Sequence, residues 1–259
     1  SNPDMKVRGN RFKYQSDLFD FSINISNWMD VFLEKSQTIT VGGKMNFDMF
    51  TTSIWSDFFN KFDASEDTTS IVEVQIDKLK LDVNTLHFNQ ALFHNVEIQH
   101  LELKEQIDLH YVKAKGQGGD YYFENIKINN LDDGYSILTK GELNRISVDK
   151  FLYEFDDFEQ TYINSNQIKG EISSAFKASF FINPSKSFDL KSLTFNSDNS
   201  FQHVKLIDYN YIAEIVDYFD ESMITRNIVD ISYYKQKSKK IIFKPFRNNM
   251  SFKDGKLNI

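Results

Sequence analysis

Alternating apolar and polar residues dominate the chain and predict β-strands. Residues 19–25 alternate with the period of a strand that buries one face. A longer pattern covers residues 72–83, where a one-residue phase shift near Asp77 and Lys78 predicts a bulge or a turn. Further strands are predicted at residues 88–104, 107–115, 121–128 and 168–182, and a more broken pattern follows at residues 190–206.

Short turns separate these strands, whereas helices of 10 to 15 residues do not. Turn signals occur at residues 116–120 and 130–134. This spacing indicates an antiparallel meander and is not typical of alternating strands and helices. The predicted fold class is therefore mostly β with short α plugs, built as an antiparallel, elongated sheet that is curved or groove-shaped.

Short helical segments with aromatic faces are predicted after two of the strands. Residues 142–146 form a strand, Ser147 can cap the following turn, and Phe151, Leu152, Phe155 and Phe158 recur at helical spacing. Residues 42–62 repeat this design. Their aromatic residues are Trp55, Phe58, Phe59 and Phe62. Both plugs are interpreted as caps on the core of the sheet or on the end of a groove.

Two more helices are predicted. Asn27 is expected to cap a short helix over residues 28–34, and residues 209–219 carry the clearest helical periodicity. Residues 63–70 are polar and aperiodic, so they are the predicted linker. They divide an N-terminal strand and helix segment, residues 1–62, from a β-groove region, residues 71–259, although one continuous domain is also compatible with the pattern.

Composition excludes several functional classes. The 259 residues are 41% hydrophobic and include 25 Phe, which is ample material for a core. A net charge of −7 argues against a nucleic-acid partner, and the absence of cysteine excludes disulfides and thiolate zinc sites. No apolar run approaches the ~20 residues that span a bilayer. The first two residues and the final Ile259 suggest a segment of a longer protein.

No motif predicts catalysis or a cofactor. His87, His94, His100 and His110 match no zinc-site spacing, so no metal site is predicted. Asp-Gly sequences near residues 132–134 and 254–255 are typical of turns. The chain has no G-x-S-x-G elbow. Its one basic cluster, residues 235–240, is interpreted as a solvated hairpin loop or as a contact with an anionic membrane.

The C-terminal part of the chain resembles a known family. Its pattern combines an Ile168-Lys169-Gly170 turn, a helix over residues 212–219 and a closing strand over residues 246–257 with Asn249 and Gly255. This pattern, best over residues 140–259, resembles the C-terminal region of AsmA-like proteins of Bacteroidetes-type bacteria. The resemblance implies a non-enzymatic envelope protein that binds or conducts lipid between membranes and maintains the outer membrane. It further implies a periplasmic location, as part of an inner-membrane-anchored protein.

Phospholipid is the partner that this resemblance implies, and the membrane would be contacted through parts outside this chain. An apolar inner sheet face would hold the acyl chains, because each methylene removed from water contributes about 0.8 kcal/mol. The candidate groove residues are Val72, Val74, Ile76, Leu79, Leu81, Val83, Leu101, Leu103 and Leu109. The same residues would equally form an ordinary core in a β-rich scaffold that binds protein. A third alternative, a glycan-processing enzyme, needs a pair of carboxylates that the sequence does not nominate.

Overall fold

One large β-sheet organises the protein. The computed structural model describes residues 4–33, 37–53, 73–88, 90–103, 106–116, 118–131, 134–159, 163–182, 188–209, 214, 233, 236, 239–253 and 256–258. The strands are β1 (Met5–Tyr14), β2 (Asp17–Ser26), β3 (Thr38–Thr51), β4 (Glu73–Phe88), β5 (Ala91–Leu103), β6 (Gln106–Lys115), β7 (Asp120–Leu131), β8 (Gly134–Ser147), β9 (Ile168–Ile182), β10 (Phe188–Ile207), β11 (Lys240–Ile242), β12 (Phe246–Lys253) and β13 (Lys256–Asn258). The helices are α1 (Trp28–Phe32), α2 (Val148–Glu154) and a 3₁₀ turn, Asp156–Glu159.

The strands follow chain order across the sheet. Neighbours run from β1 to β10 and then to β12 and β13, while β11 pairs with a different stretch of β10. Among the described residues, β1 and β13 each pair with one strand, so the sheet is open. The predicted mostly β, antiparallel and groove-shaped class is confirmed.

One pair of strands departs from the antiparallel prediction. β3 and β4 are parallel, with Met45 opposite Leu81 and Phe47 opposite Val83. A parallel pair needs a crossover of about a dozen residues or more, and residues 52–72 provide the necessary length. The sheet thus continues from residues 1–62 into residues 71–259, and the predicted linker between them lies outside the described residues.

Residues with positive φ interrupt the strands and bend the sheet. Lys78 (φ 53°), His100 (φ 52°) and Asn125 (φ 51°) lie in or next to breaks of regular pairing on β4, β5 and β7. An extra residue of this kind increases the twist and kinks the strand. The bulge predicted near Asp77 and Lys78 is confirmed. Because each break shifts the alternation by one residue, apolar side chains on both sides of it stay on one face.

A buried hydrophobic core is formed by side chains of β3, β4 and β5. Phe47, Val83 and Val96 are buried together. Phe47 stacks on Phe19 with 5.2 Å between ring centroids, and Phe50 meets Phe47 edge-on at 5.1 Å. This aromatic packing holds the N-terminal strands to the centre of the sheet.

Several sequence predictions need correction. Residues 190–206 lie in one strand of 20 residues, β10, whose pairing with β9 shifts register between Asp189 and Thr194 and between Gln202 and Lys205. Asn27 precedes α1 in a left-handed conformation (φ 63°), and its side chain makes no capping hydrogen bond. The plug residues from Trp55 to Phe62 lie outside the described residues, as do nearly all of residues 209–219 and half of residues 235–240.

Candidate functional site

Cross-strand pairing builds long apolar rows that run across the strands. In row 1, each residue pairs directly with the next from β1 to β9. Its members are Met5, Ile25, Val41, Ile76, Leu103, Ile107, Ile128, Ile137 and Phe180. Nine consecutive strands therefore contribute an apolar residue to a single line.

Two further rows run beside the first. Row 2 crosses β1 to β7 and contains Val7, Ile23, Gly43, Leu79, Leu101, Leu109 and Ile126. Row 3 crosses eleven strands and contains Gly9, Phe21, Met45, Leu81, Ile98, Val112, Phe123, Gly141, Phe176, Ser197 and Met250. On β8, Ile137 of row 1 and Gly141 of row 3 are four residues apart with no positive φ between them. Rows 1 and 3 thus lie on one face of the sheet, called here the apolar face.

The apolar face is only partly covered. Met5 is 37% exposed and the other eight members of row 1 are half-buried. A face packed against a second sheet would bury such residues almost completely. Among the described residues, no second sheet lies over row 1.

A cavity of about 490 Å³ lies on this face. Its apolar lining comes mainly from Leu86, Phe93, Val96, Val112, Ala114, Phe123, Leu143, Ile172, Phe176, Phe195 and Met250. Leu86 belongs to β4 and Met250 to β12, which would be about 34 Å apart in a flat sheet at the usual strand spacing. The sheet must curl around the cavity for both residues to line it. The volume falls within the ~300–1,000 Å³ range of small-molecule sites.

Helix α2 lies against this cavity through its aromatic side chains. Phe151 and Phe155 line the cavity, and Phe151 stacks on Tyr121 at a centroid distance of 6.3 Å. The Tyr121 hydroxyl donates to Glu154 Oε2 (3.2 Å), and both residues are buried. Burial, followed by the nearby Glu154 carboxyl, raises the pKa of Tyr121, so this hydroxyl remains a donor. The predicted Phe151 and Phe155 plug therefore packs where α2 meets the sheet.

An ion pair anchors the first turn of α2. Lys169 Nζ lies 2.7 Å from Asp149 Oδ2, and the Ser147 hydroxyl donates to Asp149 Oδ1 (2.6 Å). Although burial alone would raise it, the hydrogen bonds from Lys169 and Ser147 lower the pKa of Asp149. Ser147 occupies the predicted cap position, but its side chain does not cap a backbone N–H. The hydroxyl instead acts as a donor to the Asp149 carboxylate.

Three buried polar residues interrupt the apolar lining at β9 and β10. This polar strip consists of Ser174, Ser197 and Asn199, which are 6%, 5% and 5% exposed. All three line the cavity. Asn199 Nδ2 donates to Ser197 Oγ (2.9 Å) and to Asn248 Oδ1 of β12 (3.3 Å). Two of its three members, Ser197 and Asn199, lie in the stretch of β10 that the sequence predicted as broken.

The opposite face of the sheet is charged. Lys80 Nζ lies 3.0 Å from Glu97 Oε1 and 3.4 Å from Asp82 Oδ1. Gln99 Nε2 (2.6 Å) and the Tyr111 hydroxyl (2.9 Å) also donate to Glu97. These hydrogen bonds, the one from Lys80 first, lower the pKa of Glu97 from 4.5 to about 2. The sheet therefore carries one face suited to water and one suited to apolar ligands.

None of the predicted groove residues that the structure describes lines the cavity. Eight of the nine lie within described strands, while Val72 is outside the described residues. Row 1 contains Ile76 and Leu103; row 2 contains Leu79, Leu101 and Leu109; row 3 contains Leu81. Val83 belongs to the buried core, and Val74 is 51% exposed. Their role in binding lipid stays a prediction.

Sequence reasoning missed the residues that line the cavity itself. Their signal was present in the alternation of Val112 and Ala114, of Tyr121 and Phe123, and in the plug residue Phe151. What the sequence did not provide was the register that brings these strands together.

Other candidate chemistry finds little geometric support in the described part of the chain. There, no group of three or more His, Asp or Glu side chains converges as metal ligands would. His100 and His110 lie with ring centroids 5.6 Å apart on the exposed surface. None of the described helices has the length and apolar character needed to cross a bilayer.

Comparison with known proteins gives no match. No protein-family profile, no curated protein and no solved structure matches this chain. The resemblance to AsmA-like proteins therefore stays an interpretation of the sequence pattern.

Proposed function

We propose that this protein is a non-enzymatic component of a bacterial envelope that binds lipid along its apolar face and conducts it between membranes. The observation that carries the proposal is row 1, in which nine consecutive strands present apolar side chains that remain partly exposed. The apolar cavity beside row 3 supports the same conclusion, since it offers acyl chains a dry surface.

The dimensions of the apolar face suit lipid transfer. Row 3 crosses eleven strands, which corresponds to about 48 Å along the sheet. This length exceeds the ~30 Å thickness of a bilayer's hydrocarbon core. Each methylene that leaves water for such a face gains about 0.8 kcal/mol. A face of this length lets the acyl chains of a lipid stay in contact with apolar side chains of successive strands as the lipid moves along the sheet.

The sequence resemblance supports the cellular setting. By analogy with AsmA-like proteins, the chain would lie in the periplasm and belong to a protein anchored in the inner membrane through parts outside this chain. Its ligand would be phospholipid, and its role would be maintenance of the outer membrane. The alternative is a β-rich scaffold whose apolar face is covered by protein.

Native mass spectrometry of the purified chain, followed by organic extraction and lipid analysis, tests the proposal. We expect co-purifying phospholipid and uptake of a phospholipid that carries a fluorophore on its acyl chain. Leu143→Asp places a charge in the cavity and should weaken uptake at least tenfold. The neighbouring exposed Asn144→Asp is the matched control and should bind like the wild type.

A milder variant protects the test against misfolding. Val112→Thr keeps the side-chain shape while adding a hydroxyl to the cavity wall, and it should weaken uptake several-fold. Circular dichroism and urea unfolding establish that each variant folds. A lipid-free mass together with no uptake by the folded wild-type protein would contradict the proposal and favour the scaffold.

A further inference from the structure

The polar strip differs chemically from the rest of the cavity wall. Row 3 passes from Phe176 on β9 to Ser197 on β10, and the parallel line beside it passes from Leu143 to Ser174 and Asn199. Apolar side chains would extend the surface without interruption at these positions. The protein instead buries two hydroxyls and an amide there.

The two hydroxyls have unused hydrogen-bonding capacity. Ser197 Oγ accepts from Asn199 Nδ2, which leaves its own O–H free to donate. Among the described residues no buried side-chain oxygen or nitrogen lacks a hydrogen-bond partner, so the Ser174 hydroxyl is a cavity-lining donor and not an orphaned buried group. Both side chains line the cavity, so their O–H groups can donate to an acceptor atom of a bound molecule.

The acceptor should be uncharged. Among the described residues, no charged side chain lines the cavity, and the charged residues next to the polar strip, Lys177 and Asp198, are exposed and alternate with inward-facing residues. A phosphate taken into this cavity would lose its hydration without gaining a cation, which is costly. An ester carbonyl oxygen accepts hydrogen bonds and carries no charge.

We propose that Ser174 and Ser197 form a subsite for the ester carbonyl of an acyl glycerolipid. Their hydroxyls donate to the carbonyl oxygen, and Asn199 holds Ser197 in position. The acyl chain then lies against the apolar wall formed by Phe93, Val96 and Val112, while the phosphate headgroup stays in water. This subsite rests on the proposed function, because it orients the lipid that the apolar face binds.

A comparison of ester-linked and ether-linked phospholipids tests the subsite. The two lipids carry the same chains and headgroup, but the ether lacks the carbonyl oxygen. Binding of each to the full chain is measured by displacement of a phospholipid that carries a fluorophore on its chain. We expect the wild type to bind the ester about tenfold more tightly, since two hydrogen bonds are involved.

The variants identify the source of this preference. Ser174→Ala/Ser197→Ala should lower the affinity for the ester to that for the ether and leave the affinity for the ether unchanged. Ser179→Ala, on β9 between the inward-facing Ala178 and Phe180, is the matched control and should keep the preference.

Equal affinity of the wild type for the two lipids, or a preference that persists in the double variant, would overturn the subsite and leave the proposed function intact. Binding of neither lipid would overturn the proposed function and the subsite with it.

Discussion

Replacing Glu97 with glutamine tests the electrostatic design of the charged face. Glu97 accepts hydrogen bonds from Lys80, Gln99 and Tyr111, which lie on β4, β5 and β6. The substitution keeps the size and shape of the side chain but removes its charge. We expect it to weaken the connection among these three central strands.

The pKa of Glu97 sets the size of the effect. A pKa lowered from 4.5 to about 2 would contribute about 3.4 kcal/mol at neutral pH if it acted at full strength. The Lys80 and Glu97 side chains are 32% and 30% exposed, however, and water screens their interaction. We therefore expect Glu97→Gln to lower the free energy of unfolding by about 1 kcal/mol at pH 7.

The pH dependence has a defined direction. Because folding lowers the pKa of Glu97, the folded protein binds fewer protons than the unfolded chain between pH 4.5 and about 2. The stabilisation is complete above pH 4.5 and disappears as the pH falls toward 2. The difference between wild type and variant should shrink over the same interval.

Urea unfolding followed by circular dichroism, at a series of pH values from 7 to 2.5, measures this difference. Glu142→Gln is the control, since Glu142 is exposed on β8 and makes no ion pair or side-chain hydrogen bond with any described residue. It should change stability by less than about 0.5 kcal/mol. A Glu97→Gln difference that is absent at pH 7, or constant down to pH 2.5, would refute the reasoning.

Two further substitutions test the packing of the sheet by the same unfolding assay. Gly43→Ala should lower the free energy of unfolding by about 2 kcal/mol, because Gly43 has φ 126° and an added Cβ would collide with the backbone of β2. Asn24 is exposed on β2, so the control Asn24→Ala should change the free energy of unfolding little. Tyr121→Phe should lower the free energy of unfolding by about 1 kcal/mol, because it removes a hydrogen-bond donor to the buried Glu154. Its control, Tyr122→Phe, should cost less, because it removes only a 3.4 Å hydrogen bond to Glu124 near the surface. An Asn24 variant as unstable as that of Gly43, or equal losses for the two tyrosines, would contradict these assignments.

The fold class could be read from the sequence because alternation is a local signal. Residues 19–25 and 168–182 alternate without competition from helical spacing, and both lie in strands. The transition from strand to helix at residues 147–148 could also be predicted from neighbouring residues. The aromatic spacing of Phe151 and Phe155 defines the face of α2 that meets the sheet.

The continuity of β10 was hidden by its polar residues. Ser197 and Asn199 occupy positions where a half-buried strand normally has apolar side chains, so the pattern looked broken. Hydrogen bonds between Asn199, Ser197 and Asn248 satisfy part of this polarity, and Asn248 is 49 residues away in the chain. No local pattern reports such a partner.

The register of the sheet was also beyond local reasoning. Some of the bulges lie at Arg11, Lys78 and Arg145, residue types that rarely adopt positive φ, so only their neighbours' phase shift hints at them. The parallel pairing of β3 and β4 depends on a crossover and not on either strand's own pattern. Each row therefore emerges only after the long-range pairing is known.

The geometry of the apolar face favours lipid over protein as its occupant. A protein scaffold would bury this face under its own helices; among the described residues, the helix that packs on this face, α2, is seven residues long and covers about 10 Å, against about 48 Å for row 3. The sheet curls around the cavity, and side chains from β4 to β12 line it. A curved cavity of this kind suits a narrow flexible chain better than a flat protein surface. The polar strip adds a reason of its own, because the Ser174 and Ser197 hydroxyls can donate to the ester of a lipid, whereas a hydrocarbon alone offers them no acceptor. An amphiphile whose ester lies at the polar strip and whose chains follow the rows satisfies both parts of the surface.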